Sequence, residues 1–163
     1  MLKNHVKVFN LAAVALVVVL IALQFVPFWS YEKTEKVDGV ETTYETTASI
    51  AEYVWLPFNC RELTKDFGET LDIAKPKVND FITEAALVLA LGVTSVIMIL
   101  IFKNEWMILF SLVVGVFGDL QFLTQKVMQM GSMWYIHLAV SVVLTAVSVL
   151  SLVLTIKKKF AKK

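Results

Sequence analysis

At 163 residues, with 58% hydrophobic and 18% charged side chains and a net charge of +1, the chain is too apolar to be disordered and too rich in long apolar runs to be a soluble core. Its one cysteine, Cys60, excludes an intramolecular disulfide and any cysteine cluster for zinc or redox work. No basic patch interleaved with aromatics occurs outside the C-terminal tail, which excludes nucleic acid as a partner.

Four apolar stretches organise the chain: Leu11 to Phe28, Ala85 to Phe102, Trp106 to Leu123 and Met133 to Ile156. Each has 18 residues or more, and at about 1.5 Å of rise per residue that reaches across a hydrocarbon core of ~30 Å. The expected fold class is an all-α membrane protein, a four-helix transmembrane bundle. A small extracytoplasmic α/β loop domain, a β-hairpin plus short helices, lies between its first two spans.

Residues 1–7 form a short tail carrying Lys3 and Lys7, and the first span covers 8–29. A basic start followed by an apolar core also fits a signal peptide. The run is longer than such a core, however, and it ends in Phe25, Val26, Pro27, Phe28 and Trp29 without a small-residue cleavage site, so an uncleaved span is expected.

Residues 30–79 form the outer segment, with ten carboxylates against six basic residues. Tyr31 to Val37 and Val40 to Thr47 flank Asp38-Gly39, the strongest short hairpin signal. A two-residue turn sets Val37 against Val40, Lys36 against Glu41 and Lys33 against Tyr44. Tyr31, Val37, Val40 and Tyr44 then share one apolar face, which needs cover because an isolated hairpin is marginal.

Ser49 with Glu52 makes a capping box ahead of Ile50, Tyr53, Val54, Trp55 and Leu56, so a short helix at headgroup level is expected, with a third strand as its rival. Asn59 with Glu62 repeats the signal for a second helix ending at Gly68. Tyr31, Val37, Val40, Tyr44 and Trp55 are the candidate partner surface; for the region itself a lid that only caps the bundle is the stronger expectation.

The second span covers 80–102, with Pro76 and then Asn79 or Asp80 marking its start. Only Lys103, Asn104 and Glu105 separate it from the third span, 106–123, so these two are expected as antiparallel neighbours. An outer loop, 124–132, leads to the fourth span, 133–156, and a basic tail, 157–163. In that loop Met128 and Met130 are expected to fold onto the outer rim.

Basic residues near helix ends stay in the cytoplasm, and the lysine-dense tails and tight link place both termini there. The plasma membrane of a bacterium is expected, because fourteen lysines against the single Arg61 suggest an AT-rich genome. Membrane lipids are expected partners of the tail, each basic residue contributing about 1 kcal/mol near an anionic surface. Four spans with a long first and a shorter second outer segment, and Trp55 and Cys60 in the first, resemble the layout of claudin-type proteins. The Gly-Leu-Trp signature and second loop cysteine of that family are missing, so the resemblance implies a layout by analogy and no activity.

Small residues mark helix contacts: Gly92 and Ser95; Ser111, Gly115 and Gly118; Ser141, Thr145, Ser148 and Thr155 with Leu152 between. The polar outliers continue those faces. Asp119 follows Gly115 by four, His137 precedes Ser141 by four, Glu84 precedes Gly92 by eight, and Asn10 and Gln24 share a side fourteen apart. Glu84, Asp119, His137 and Gln24 are expected at one outer-leaflet level.

Ionisable groups in a span are a candidate site, here a proton or cation relay or, with two carboxylates and one His, a divalent metal site. Structural stitching between helices is the stronger expectation. With no nucleophile beside a base, no phosphate loop and no cofactor motif, the expected function is non-enzymatic association with a protein partner or with further copies, as an accessory subunit or envelope component. An oligomeric transporter or channel subunit is the alternative, and a membrane metal hydrolase ranks third.

Overall fold

The computed structural model describes residues 2–37, 40–49, 75–102, 104–125 and 133–161. The chain runs as α1 (Leu2–Leu23), β1 (Pro27–Val37), β2 (Val40–Ser49), α2 (Lys75–Phe102), a 3₁₀ turn (Glu105–Met107), α3 (Ile108–Gln125) and α4 (Met133–Phe160). Among the described residues three helical segments are long and apolar enough to cross a membrane: Asn4–Leu23, Thr83–Phe102 and Met133–Phe160.

The helices pack in a ring, α1 on α2, α2 on α3, α3 on α4 and α4 back on α1. Their buried faces explain the packing. In α4 the buried residues are Trp134, His137, Ser141, Leu144, Ser148, Ser151 and Thr155, at alternating spacings of three and four. On α1, Val6, Ala13, Val17, Leu20 and Gln24 are buried and half-buried Asn10 completes the same alternation. Ala85, Val88, Gly92, Ser95 and Ile99 repeat it on α2. A 3.5-residue period keeps one seam facing a neighbour along the whole helix, the geometry of left-handed, shallow-angle packing.

The first span ends earlier than the apolar run suggests, at Leu23 rather than Trp29. The amides of Gln24, Phe25 and Val26 turn back to the carbonyls of Ile21, Ala22 and Leu23 at 3.0 to 3.2 Å, a tightened last turn. Pro27 then disfavours helical backbone at Val26 and cannot donate to a fourth carbonyl. Apolar content extends a hydropathy reading across this break; proline stops the helix. In the opposite direction, α2 begins at Lys75 rather than at residue 80, because Pro76 falls in the first turn, where its missing N–H has no intrahelical role. α4 continues to Phe160, past residue 156, with Lys157, Lys158 and Lys159 in the last turn, where cations complement the helix dipole.

β1 and β2 pair antiparallel as a two-stranded ribbon, with Val37 opposite Val40, Lys36 opposite Glu41 and Lys33 opposite Tyr44. The ladder is interrupted between Pro27 and Trp29, where Phe28 has no opposite residue, a bulge beside a strand-initial proline. The expected compact loop domain is not established by this ribbon. The helices proposed to cover it, with Trp55 and Cys60, lie outside the described residues, as do the Asp38-Gly39 turn and Met128 and Met130.

One end of the ring carries both chain ends. Lys158 of α4 forms an ion pair with Glu105, Lys159 lies 5.5 Å from the Trp106 ring centroid, and Asn104 accepts the Trp106 amide at 3.1 Å. Ser95 and Ser111 are hydrogen-bonded at 2.7 Å between α2 and α3. At that same end Ser151 of α4 donates to the side-chain amide oxygen (Oδ1) of Asn10.

Candidate functional site

The polar residues at the opposite end are positioned by the α3–α4 and α1–α4 seams. Gly115 and Gly118 let α3 approach α4 closely. A Cβ at Gly115 would sit 2.5 Å from the Thr145 hydroxyl and 3.0 Å from the Thr145 backbone nitrogen; one at Gly118 would sit 2.8 Å from the Ser141 Cβ. That proximity brings Asp119, one turn beyond Gly115, onto α4. Ser141 donates to Asp119 Oδ1 at 2.6 Å and Thr145 donates to Oδ2 at 3.0 Å. Ser141 also reaches the Leu138 carbonyl at 3.0 Å, so its single hydrogen is shared between two acceptors.

His137 lies one turn from Ser141 and faces α1. Its Nε2 is 2.7 Å from Gln24 Nε2, which also reaches the Leu20 carbonyl at 3.4 Å, and both side chains are fully buried. An amide nitrogen can only donate, so the imidazole accepts here and carries its proton on Nδ1. Trp134 packs edge-on against His137 with ring centroids 4.9 Å apart. Asn10–Ser151 and Gln24–His137 therefore clamp the same two antiparallel helices at both ends, fourteen residues apart on each.

Of the four expected cluster residues, Gln24 and His137 meet directly. Asp119 joins them only through α4, by way of Ser141. Glu84 is half-buried on α2, next to buried Ala85, and has an interaction partner of its own. Gln24 with His137 and Asp119 with Ser141 are two adjoining pairings, because Asp119 faces α4 while Gln24 reaches His137 across the α1 side. Among the described residues no three His, Cys, Asp or Glu side chains are placed to hold a metal ion.

Gln121 was not singled out by sequence reasoning. It is fully buried, and among the described residues neither its amide nitrogen nor its amide oxygen has a hydrogen-bond partner; the Gln24 Oε1 is likewise unmatched. Gly118 packs against both Leu20 and Ser141. One turn further from the end that carries both termini stand Gln121, Gln24 and His137, which puts the orphan amide at the level of the Gln24–His137 pair. The available signal was its spacing of three from Gly118.

An unpaired buried amide costs stability, and Gln121→Met keeps the length while removing both polar atoms. The variant is expected to be more heat-resistant by about 1 kcal/mol in detergent unfolding, a modest gain because the separated helices in lipid are themselves out of water. A loss of that size would show that the amide is matched in the assembled protein.

The Tyr31, Val37, Val40 and Tyr44 positions all fall on the ribbon, the first two on β1 and the last two on β2. No protein-family model, curated protein or solved structure matches this chain.

Proposed function

We propose that the chain is a non-enzymatic, multi-pass membrane protein that acts by association, holding the β1–β2 ribbon on the outer side of a four-span anchor. In this reading α3, which rises about 27 Å, crosses with the other three helices. Both termini are cytoplasmic, in the plasma membrane of a bacterial cell.

The observation that carries the reading is the junction between helix and ribbon. Only Gln24, Phe25 and Val26 separate α1 from β1, Gln24 is buried and bonded to His137, and Ser49 at the opposite base of the ribbon is buried too. A ribbon mounted in this way keeps its orientation relative to the membrane, which is what a recognition surface requires and a flexible connector does not. The polar side chains inside the ring support it further, since Asp119, Asn10 and Ser95 are bonded across helices.

The alternative is an oligomeric transporter or channel subunit with a Glu84, Asp119 and His137 relay. Its support is that Ser141, one turn from His137, is bonded to Asp119. Photo-crosslinking in native membranes separates the two. A probe replacing exposed Glu41 or Thr43 on β2 is expected to give one discrete adduct, and a probe at lipid-exposed Val149 on α4 is not. No adduct from either strand position at native abundance, together with pH-dependent flux in proteoliposomes, would replace association with the relay.

A further inference from the structure

A cavity of about 230 Å³ lies between α1 and α2 at the end that carries both termini, lined by Lys7, Asn10, Leu11, Val14, Ile99, Leu100 and Glu105. Its walls are apolar along their length and polar at one end. Leu11 and Leu100 on the rim are 65% and 51% exposed, so the cavity opens sideways between the two helices. Glu105 is neutralised by Lys158, and Asn10 spends its carbonyl oxygen on Ser151, leaving its amide N–H₂ as a donor. Lys7 is exposed and has no ion-pair partner among the described residues.

We infer that this groove binds one anionic phospholipid, its phosphate on Lys7 and part of an acyl chain along Leu11, Val14, Ile99 and Leu100. The inference rests on the membrane-spanning reading and is independent of the association reading. Size and charge select the occupant. Soluble ligands and cofactors fill pockets of about 300–1,000 Å³ that enclose most of their surface. A lipid needs to insert only a length of chain, because the remainder stays in the bilayer. Among the described residues, Lys7, Lys157, Lys158 and Lys159 outnumber Glu105 at this end, which favours a negative headgroup. A second copy of the chain is disfavoured by the same count, since it would bring two lysine-rich ends together.

The test is native mass spectrometry of the full chain in neutral detergent, with phosphatidylglycerol as probe and phosphatidylcholine as comparison. One phosphatidylglycerol per chain is expected to be retained and phosphatidylcholine not. Lys7→Gln, an exposed change that leaves the core alone, is expected to weaken retention about fivefold, the share of one basic residue near an anionic headgroup, and Lys7→Arg to restore it. Leu100→Trp, which fills the groove, is expected to abolish retention, whereas Leu150→Trp, equally exposed on α4, is not. Equal retention by Lys7→Gln and Leu100→Trp would overturn the proposal. So would loss confined to Lys157→Gln and Lys159→Gln, equal retention of phosphatidylcholine, or a dimer crosslinked through Leu11 and Leu100.

Discussion

Gly115→Leu is expected to prevent assembly of the helices, and Gly115→Ala alone to cost about 1–3 kcal/mol, the range for overpacking a tight contact. The reason is what the added carbon meets. At Gly115 it strikes the Thr145 hydroxyl at 2.5 Å and the Thr145 backbone at 3.0 Å, and backbone cannot rotate away as a side-chain tip can. The helices must separate, and separation breaks the Thr145 and Ser141 bonds to Asp119 as well. Gly92→Ala provides the contrast, since there the new carbon meets Ile21 Cδ1 and Cγ1 at 3.1 Å, the outer part of a flexible side chain. Unfolding of purified protein by heat in mild detergent should rank the alanine variants Gly115, then Gly118, then Gly92, from most to least harmful. Equal tolerance at all three would mean that α3 and α4 do not touch at this seam.

Asp119→Leu is expected to cost about 1–2 kcal/mol, less than loss of two bonds to a carboxyl group in isolation suggests. Both donors have other acceptors nearby. Ser141 already lies 3.0 Å from the Leu138 carbonyl, and a helical threonine can turn to the carbonyl four residues back. Asp119→Asn retains one acceptor oxygen and should cost roughly half as much. The pair also separates stitching from relay. If Asp119 only joins helices, the Asn and Leu variants lose stability in that order and leave ribbon crosslinking unchanged. If it carries protons, both abolish flux in proteoliposomes, including under conditions where the Asn variant is fully folded.

Residues with a steric or hydrogen-bonding reason to face inward were legible from spacing. The glycines of α3, the hydroxyls of α4 and the separation of Asn10 from Gln24 lie on buried or half-buried seams because small and polar groups are tolerated in lipid only where another helix accepts them. The level shared by Gln24 and His137 was legible for the same reason. Partner choice was not. Ser141 and Thr145, rather than His137, hold Asp119, and a one-turn difference in contact along α4 decides this without changing the periodicity of either helix. Gln121 escaped notice although its spacing of three from Gly118 continues the small-residue face of α3. The limits of α1 were misjudged where hydropathy and backbone chemistry disagree: Phe25 to Trp29 is apolar enough for a span, and Pro27 forbids it.

α4 leaves the ribosome after α1, α2 and α3, and several polar side chains of the earlier elements are bonded to it. Asn10, Gln24, Asp119 and Glu105 all find partners there, whereas Ser95 and Ser111 match each other without it. If α1 to α3 cross the membrane as proposed, a nascent chain without α4 holds Asn10 and Asp119 there without the hydroxyls that bond them. Quality-control proteases that sense polar groups in lipid would have their clearest substrate in that interval, which closes when the twenty-eight-residue α4 arrives.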